Sequence, residues 1–188
     1  SRSWQGGCLG IDPTETRTGA VDTRVDDLGN WVASTVAGRV TDHTGDGKSD
    51  LAYLYNSGTN ADGANRTALW LQTSTGSGFD GPVKAWDSGT GSWNWNLSKT
   101  VSGDFNGDGL ADVGVLYKYP DTSDGRGHTA LWTFTSTGSG FNAPVKAWDS
   151  GTGSWDWDSS APVSGDFNGD GKSDVGVLYK YPNTSDGR

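Results

Sequence analysis

Three segments of the sequence place oxygen-bearing side chains at alternate positions, followed directly by a glycine. The clearest form reads Asp-x-Asn-x-Asp-Gly-x-x-Asp, at residues 104–112 and again at 166–174. When such a loop curls, the oxygens at positions 1, 3 and 5 converge, and the glycine at position 6 permits the sharp turn. Hard divalent cations bind such a set of oxygens. The spacing therefore predicts up to three Ca²⁺ ions, one per loop.

The candidate ligands are the side chains at loop positions 1, 3, 5 and 9 and the backbone carbonyl at position 7. In the first loop Thr44 stands at position 3, where the other loops have Asn, and it supplies a weaker oxygen ligand. His43 also replaces the Phe that precedes Asn in the other loops, so we expect weaker binding there. The predicted metal-binding residues are Asp42, Thr44, Asp46, Lys48 and Asp50 in the first loop, Asp104, Asn106, Asp108, Leu110 and Asp112 in the second, and Asp166, Asn168, Asp170, Lys172 and Asp174 in the third.

Two other kinds of metal site do not fit the residues of these loops. An EF-hand requires Glu at position 12, where the sequence has Tyr53, Val115 and Val177. Softer metals are disfavoured because the second and third loops contain neither Cys nor His. The remaining alternative is that the loops are ordinary hairpin turns rich in Asp, Asn and Gly that bind no metal.

A second candidate site consists of two tryptophan pairs, each with Asn or Asp between the rings. These are Trp93 with Trp95 and Trp155 with Trp157. An exposed indole beside a polar side chain is suited to stacking on a sugar ring, which predicts carbohydrate binding. The alternative is that the rings pack between sheets, as large aromatic side chains commonly do.

Catalysis is not predicted for this chain. Glu15 is its only glutamate, and His43 and His128 are its only histidines. No serine stands in a Gly-Asp-Ser-Gly-Gly context, and no other triad is recognisable. We therefore expect a chain that is not itself an enzyme.

A repeat of about 62 residues must position both candidate sites. Segment 101–126 returns at 163–188 with only three differences, at Leu110/Lys172, Ala111/Ser173 and Asp121/Asn183, and a more diverged copy starts near Thr41. The predicted units are 41–100, 101–162 and an incomplete 163–188. Within the second unit, four short apolar runs separated by turn residues predict strands at 101–105, 113–119, 130–136 and 141–148.

Four consecutive strands predict one antiparallel meander per unit and an all-β fold. Blades of this kind pack radially in a β-propeller, which protects the sheet edges. Two full units and part of a third predict a partial propeller, which either continues beyond Arg188 or is completed by other chains. We expect one tryptophan near each third and fourth strand to pack between blades, namely Trp70, Trp86, Trp132 and Trp148.

Composition limits the partners. The formal net charge is −9, and the sequence lacks clustered Lys and Arg, which disfavours nucleic acid. Nine of the 23 acidic residues lie in the three loops, so the charge is placed where a cation would bind. No apolar run approaches the roughly 20 residues that span a bilayer.

The first 40 residues do not follow the repeat. They predict a strand at 19–25, an N-cap at Asp26 or Asp27, and one short helix with an apolar face. That face would carry Leu28, Trp31, Val32 and Val36. Cys8 is the only cysteine, so no disulfide can close within the chain.

Two family resemblances follow from these residues. The units from Thr41 to Arg188 resemble FG-GAP or VCBS repeats, the calcium-loop blades of integrin α-subunit heads and of many bacterial extracellular proteins. This resemblance implies a secreted protein in which calcium is mainly structural. Ser3 to Cys8, Gly19 to Val25 and Asn30 to Val32 look like the end of a trypsin-like serine protease. That resemblance implies a catalytic triad and a disulfide partner for Cys8 upstream of Ser1.

The combined expectation is a calcium-stabilised extracellular binding or adhesion module, appended to a secreted trypsin-like protease. Its partner would be an extracellular glycan or a protein surface. Two alternatives stay open: a lectin that uses the tryptophan pairs, and a structural repeat that self-associates when incomplete blades complete one another between chains.

Overall fold

The computed structural model describes residues 3–4, 19–20, 41–59, 65–89, 93–119, 128–151 and 155–181. Internal contacts divide the chain into two compact units, Ser1–Ala37 and Gly38–Arg188. The described residues are all-β and form several antiparallel sheets. Within these ranges, no helix is long and apolar enough to cross a membrane.

The first unit contributes one short antiparallel pair. Strand β1 (Ser3–Trp4) pairs with β2 (Gly19–Ala20). Of the predicted strand at 19–25, only the first two residues belong to the described ranges. The predicted helix with Leu28, Trp31, Val32 and Val36 lies outside the described residues.

The second unit contains three antiparallel sheets in sequence order. The first sheet has the order β3-β4-β5, the second β6-β7-β8-β9 and the third β10-β11. The strands are β3 (Leu51–Thr59), β4 (Asn65–Gln72), β5 (Val83–Asp87), β6 (Ser98–Gly103), β7 (Asp112–Tyr119), β8 (His128–Phe134), β9 (Val145–Asp149), β10 (Ser160–Gly165) and β11 (Asp174–Tyr179).

The second sheet is the four-stranded meander that the sequence predicts, with corrected boundaries. Its first strand starts at Ser98 rather than Val101, because β6 continues its pairing with β7 up to Ser98 opposite Tyr117. Its fourth strand covers only Val145–Asp149, since Phe141 forms an isolated bridge with Ser136 inside the preceding turn. A 3₁₀-helix at Trp95–Leu97, which the sequence analysis did not predict, leads into β6.

The main hydrophobic core lies between the first and second sheets. Leu69 and Leu71 of β4 occupy one buried cluster together with Val113 and Val115 of β7. Alternate residues of a strand face opposite sides, so the second sheet offers one face to the first sheet and the other face to the third. The described residues form a series of open sheets rather than a closed ring, and a propeller arrangement remains a prediction.

Candidate metal loops and tryptophan contacts

The three acidic loops occupy equivalent places in the fold. The second loop joins β6 to β7, the third joins β10 to β11, and the first directly precedes β3. Their glycines at positions 4 and 6 all have positive φ, for example 83° at Gly107 and 89° at Gly109. Such angles favour glycine, and they curl each loop around its first aspartate.

The first aspartate of each loop binds the loop's own backbone. One carboxylate oxygen of Asp104 accepts hydrogen bonds from the amides of Gly107 (2.6 Å) and Asp108 (3.1 Å), and the other accepts from Gly109 (2.8 Å). Asp166 repeats this arrangement with Gly169, Asp170 and Gly171. In the first loop Asp42 accepts from Gly45 (2.7 Å) and Gly47 (2.9 Å). All three loops therefore share one closed conformation.

The side chains at positions 3 and 5 also bond within their loops. The carbonyl oxygen of Asn106 accepts from the Asp108 amide, and Asp108 accepts from the Leu110 amide, both at 2.8 Å. Asn168 and Asp170 repeat these bonds with Asp170 and Lys172.

The first loop departs from this pattern in two contacts. Thr44 donates its hydroxyl to Asp50 at 3.0 Å, and the Lys48 ammonium lies 2.6 Å from Asp46. Lys48 lowers the pKa of the Asp46 carboxyl through hydrogen bonds and charge. The first loop thus has an internal counter-ion, the lysine at position 7, for its carboxylate at position 5.

The aspartate at loop position 9 attaches its loop to a turn further along the same sheet. This turn follows β8 in the second sheet and β4 in the first sheet. Asp112 is fully buried and accepts from the amides of Phe105 (3.0 Å) and Ser136 (2.8 Å). Asp50 does the same with His43 (3.0 Å) and Ser74 (2.9 Å). Burial is the main reason that the pKa of Asp112 is raised to about 6. The hydrogen bonds from Ser136 and Phe105 oppose this rise, and the nearby charges of Asp108 and Asp104 contribute to it.

The third loop lacks this attachment within the described residues. Asp174 accepts from Phe167 (3.0 Å) and from the side-chain amide of Asn168 (3.4 Å). Its counterpart Asp112 uses the second oxygen for Ser136, which belongs to the turn after β8. The sequence predicted the ninth aspartate as a metal ligand, and its structural attachment was missed because the serine lies 24 residues away.

Consecutive loops are joined by a hydrogen bond that the sequence did not predict. The Ala111 amide donates to the Asp42 carbonyl at 2.8 Å, and 62 residues later the Ser173 amide donates to the Asp104 carbonyl at 2.7 Å. The side chains at position 7 take part as well, because Leu110 lies against Gly45 and Lys172 lies against Gly107. The three loops therefore form one continuous row.

His43 reinforces the contact between the first two loops. Its Nδ1 lies 2.6 Å from the Ala111 carbonyl, and its ring meets Phe141 edge-on with centroids 5.3 Å apart. Burial lowers the pKa of the imidazole. The residue that distinguishes the first loop at position 2 therefore has a packing role between units.

The donor chemistry of the loops fits a hard cation, because every predicted side-chain ligand offers oxygen. The geometry of the described residues does not show an assembled metal site. Among the residues for which the structure gives positions, no group of three His, Cys, Asp or Glu side chains is arranged to hold a metal. The carboxylates at positions 1 and 9 are instead satisfied by backbone amides.

The tryptophan pairs contact neighbouring sheets. Trp93 is only 6% exposed, and its ring packs edge-on or tilted against Trp86, Tyr117 and Phe134, with centroids 4.7 to 5.9 Å apart. Its indole N–H donates to the Ser98 hydroxyl at 2.9 Å. Trp155 makes the equivalent bond to Ser160 at 2.9 Å but is only half-buried.

The second tryptophan of each pair binds a strand of the preceding sheet. The indole N–H of Trp95 donates to the Leu54 carbonyl at 2.8 Å, and that of Trp157 donates to the Leu116 carbonyl at 2.7 Å. The Lys99 ammonium lies 4.0 Å from the ring centroid of Trp157. These contacts agree with packing between sheets and leave Trp95, 42% exposed, as the most accessible of the four rings.

Comparison with known proteins gives one family. Residues 104–177 match the FG-GAP-like repeat. The FG-GAP-like segment begins at the first aspartate of the second loop and ends within β11, so it contains the second and third loops and strands β7 to β10. It supports the FG-GAP family, whereas the trypsin-like resemblance lies outside the matched residues. No curated protein matched the chain, and no solved structure did.

Proposed function

We propose that this chain is a calcium-stabilised binding module of an extracellular protein. The observation that carries the proposal is one acidic loop that recurs in three consecutive units, each time closed by its first aspartate. The FG-GAP-like segment is consistent with an extracellular adhesion-type module, and such repeats are generally non-catalytic.

Calcium would be held by the oxygen donors of each loop. In the second loop these are Asp104, Asn106 and Asp108, with the carbonyl of Leu110 and the carboxylate of Asp112. A bound cation would supply positive charge beside Asp112, whose pKa is raised by burial and, to a smaller extent, by the charges of Asp108 and Asp104. Because consecutive loops are hydrogen-bonded, a cation that rigidifies one loop would also stabilise the neighbouring loop.

The calcium proposal is tested by removing bound metal with a chelator and following thermal unfolding as Ca²⁺ is added back. A ligand that binds only the folded state stabilises it by about 2.7 kcal/mol when its concentration is a hundredfold above Kd. We expect the unfolding midpoint to rise with Ca²⁺ and to rise less with equal Mg²⁺, which prefers a stricter octahedral geometry. An unchanged midpoint at millimolar Ca²⁺ contradicts the proposal.

Calcium stoichiometry tests the assignment to individual loops. Asp104→Ala together with Asp166→Ala should lower the number of bound ions by about two, since each loop would bind one. Asp80→Ala is the matched control, because Asp80 is an exposed acid outside the loops. An equal loss of calcium in both proteins would mean that binding is non-specific.

The attachment to a protease is a separate part of the proposal. It is supported by the Ser-Trp-Gln-Gly-Gly-Cys segment at Ser3 to Cys8, which resembles the end of a trypsin-like domain. In that arrangement the module would direct the enzyme to a surface, glycan or protein target. Sequencing the gene upstream of Ser1 tests this, and a coding region without a His, Asp and Ser triad would reject it.

Carbohydrate binding is a second candidate function, favoured by the 42% exposure of Trp95. Its test is a glycan array probed with the intact chain and with Trp95→Ala and Trp157→Ala. Tyr181→Ala is the control, because this aromatic residue is 75% exposed at a different place. Sugar binding that survives both tryptophan replacements in folded protein would reject these rings as the site.

A further inference from the structure

Loop position 3 carries an asparagine directly before a glycine in the second and third loops. The carboxamide oxygen of Asn106 accepts a hydrogen bond from the amide of Asp108 at 2.8 Å, and that of Asn168 accepts from Asp170 at 2.9 Å. A side chain bonded to the amide two residues further on is folded back over the intervening peptide group. Its carboxamide carbon therefore lies beside the amide nitrogen of the glycine, with which it can form a succinimide ring.

The glycine nitrogen in each loop is hydrogen-bonded to a carboxylate. The amide of Gly107 donates to Oδ1 of Asp104 at 2.6 Å, and the amide of Gly169 donates to Oδ1 of Asp166 at 2.6 Å. A general base can remove a proton over such a distance. Glycine also has no side chain that hinders the approach of the carboxamide, and Asn106 is exposed to the water that would hydrolyse the ring.

Asp108 contacts both ends of the Asn106 carboxamide. Its backbone amide donates to the oxygen, on which negative charge develops when the carboxamide carbon is attacked, and its carboxylate accepts from Nδ2 at 2.8 Å. A donor at such an oxygen stabilises the tetrahedral intermediate. In the third loop Nδ2 of Asn168 lies 3.3 Å from the Asp170 carboxylate, so the same arrangement recurs with a looser contact at the leaving group.

We propose that Asn106 and Asn168 are sites of spontaneous deamidation that the closed conformation of their own loops promotes. In the second loop the Gly107 nitrogen forms a bond to Cγ of Asn106 while its proton passes to Asp104. The bond between Cγ and Nδ2 then breaks, Nδ2 leaves as ammonia after taking up the proton that Asp104 had accepted, and a succinimide remains. Water hydrolyses this ring to give aspartate or isoaspartate at residue 106. The inference does not depend on calcium.

Either product changes the loop. Aspartate at residue 106 adds a negative charge to a loop that already contains three acidic residues. Isoaspartate carries the main chain through the side-chain carbon and so lengthens the backbone inside the loop. The amides of Gly107, Asp108 and Gly109 all donate to Asp104, and a longer backbone moves them out of register. We therefore expect isoaspartate to open the loop as the protein ages.

Other asparagines of the chain serve as internal controls. The carboxamide oxygen of Asn56 accepts from the Gly58 amide at 2.9 Å, and that of Asn94 accepts from the Asn96 amide at 3.0 Å, so both side chains are folded back in the same way. They are followed by a serine and a tryptophan, whose side chains hinder attack by the amide nitrogen. The first loop has Thr44 at position 3, which has no carboxamide to lose.

The test is incubation of the full chain with a chelator, at neutral pH, in water enriched in heavy oxygen. Peptide mapping by mass spectrometry locates the products, and an isoaspartyl methyltransferase identifies isoaspartate. We expect heavy oxygen to enter residues 106 and 168 and neither Asn56 nor Asn94. A synthetic peptide of residues 101–115 contains the same Asn-Gly pair without the fold, and it should react at least about tenfold more slowly, because it lacks the positioned base and donor.

Variants test the role of the carboxylate within one molecule. Asp104→Asn keeps an oxygen that can accept from Gly107 but removes the base, so conversion at residue 106 should slow by about tenfold. Residue 168 of the same protein is the reference and should keep its rate. Asp166→Asn should give the reverse result. Asp80→Asn removes one charge outside the loops and should change neither rate.

Each outcome decides the proposal. Absence of conversion at both residues overturns it. A peptide that reacts as fast as the folded chain would mean that the Asn-Gly sequence alone sets the rate, which also overturns it. If Asp104→Asn leaves conversion at residue 106 unchanged or accelerates it, the closed loop protects the asparagine rather than promoting its reaction. Slower conversion at only the matching residue in each variant supports the proposal.

Discussion

The contrast between Trp93 and Trp155 gives the sharpest prediction about packing. Both residues stand in the same Gly-Ser-Trp context and donate their indole N–H to an equivalent serine at 2.9 Å. They differ in surroundings, because Trp93 is 6% exposed whereas Trp155 is only half-buried. Replacing each by Ala therefore compares one side chain in two packing environments.

The expected magnitudes follow from the contacts. Trp93 has four aromatic neighbours, at 4.7 to 5.9 Å, and truncation of a buried Trp to Ala costs about 3–5 kcal/mol. Trp155 has two, Trp148 at 5.2 Å and Tyr179 at 5.3 Å. Each aromatic pair contributes about 0.5–1.5 kcal/mol beyond burial. We expect Trp93→Ala to be the more destabilising variant by about 2 kcal/mol.

Urea unfolding followed by far-ultraviolet circular dichroism measures the difference. With a slope of about 1–3 kcal/mol per molar urea, 2 kcal/mol separates the two midpoints by about 1 M. Equal destabilisation by the two replacements would refute the packing argument. An unchanged urea midpoint in the Trp93→Ala variant would refute it more severely, since the ring would then contribute little to the stability of the core.

Three further predictions follow from other contacts. Asp112→Ala should destabilise the chain by about 2–3 kcal/mol because it leaves one buried and one partly buried amide without an acceptor, whereas Asp174→Ala should cost less, which urea midpoints would reveal. Trp157→Phe removes the donor to the Leu116 carbonyl, and a loss of about 1 kcal/mol is expected by the same method, with no loss contradicting this role. Leu110→Asp should weaken the contact between the first and second loops, detected as faster hydrogen exchange at Ala111, and unchanged exchange there would argue against coupling between the loops.

The local elements were largely predictable from the sequence. Short apolar runs separated by Gly, Asn and Asp gave the antiparallel meander of the second sheet, because turn residues and strand periodicity act over a few positions. The boundaries were less accurate. Ser98 joins β6 only because it pairs with Tyr117, and Phe141 leaves the fourth strand because it bridges to Ser136.

The residue types and spacing of the candidate site were predictable from the sequence, but its long-range hydrogen bonds were not. The spacing around Asp104 identified a curled acidic loop, and the positive φ of Gly107 and Gly109 agrees with that prediction. The attachment of Asp112 to Ser136 could not be predicted, since it joins residues far apart in the sequence. For the tryptophan pairs, spacing alone left sugar stacking and packing open, and the burial of Trp93 favours packing for that ring.

The sequence by itself determined the repeat, the curled acidic loops and the order of strands, because turn geometry and side-chain alternation are local properties of the backbone. Only the tertiary structure decided which copies of a repeated residue are buried. Val115 and Val177 occupy closely similar sequence surroundings, yet Val115 is fully buried and Val177 is only half-buried. Burial depends on which sheet packs against a residue, and the local sequence does not specify that sheet.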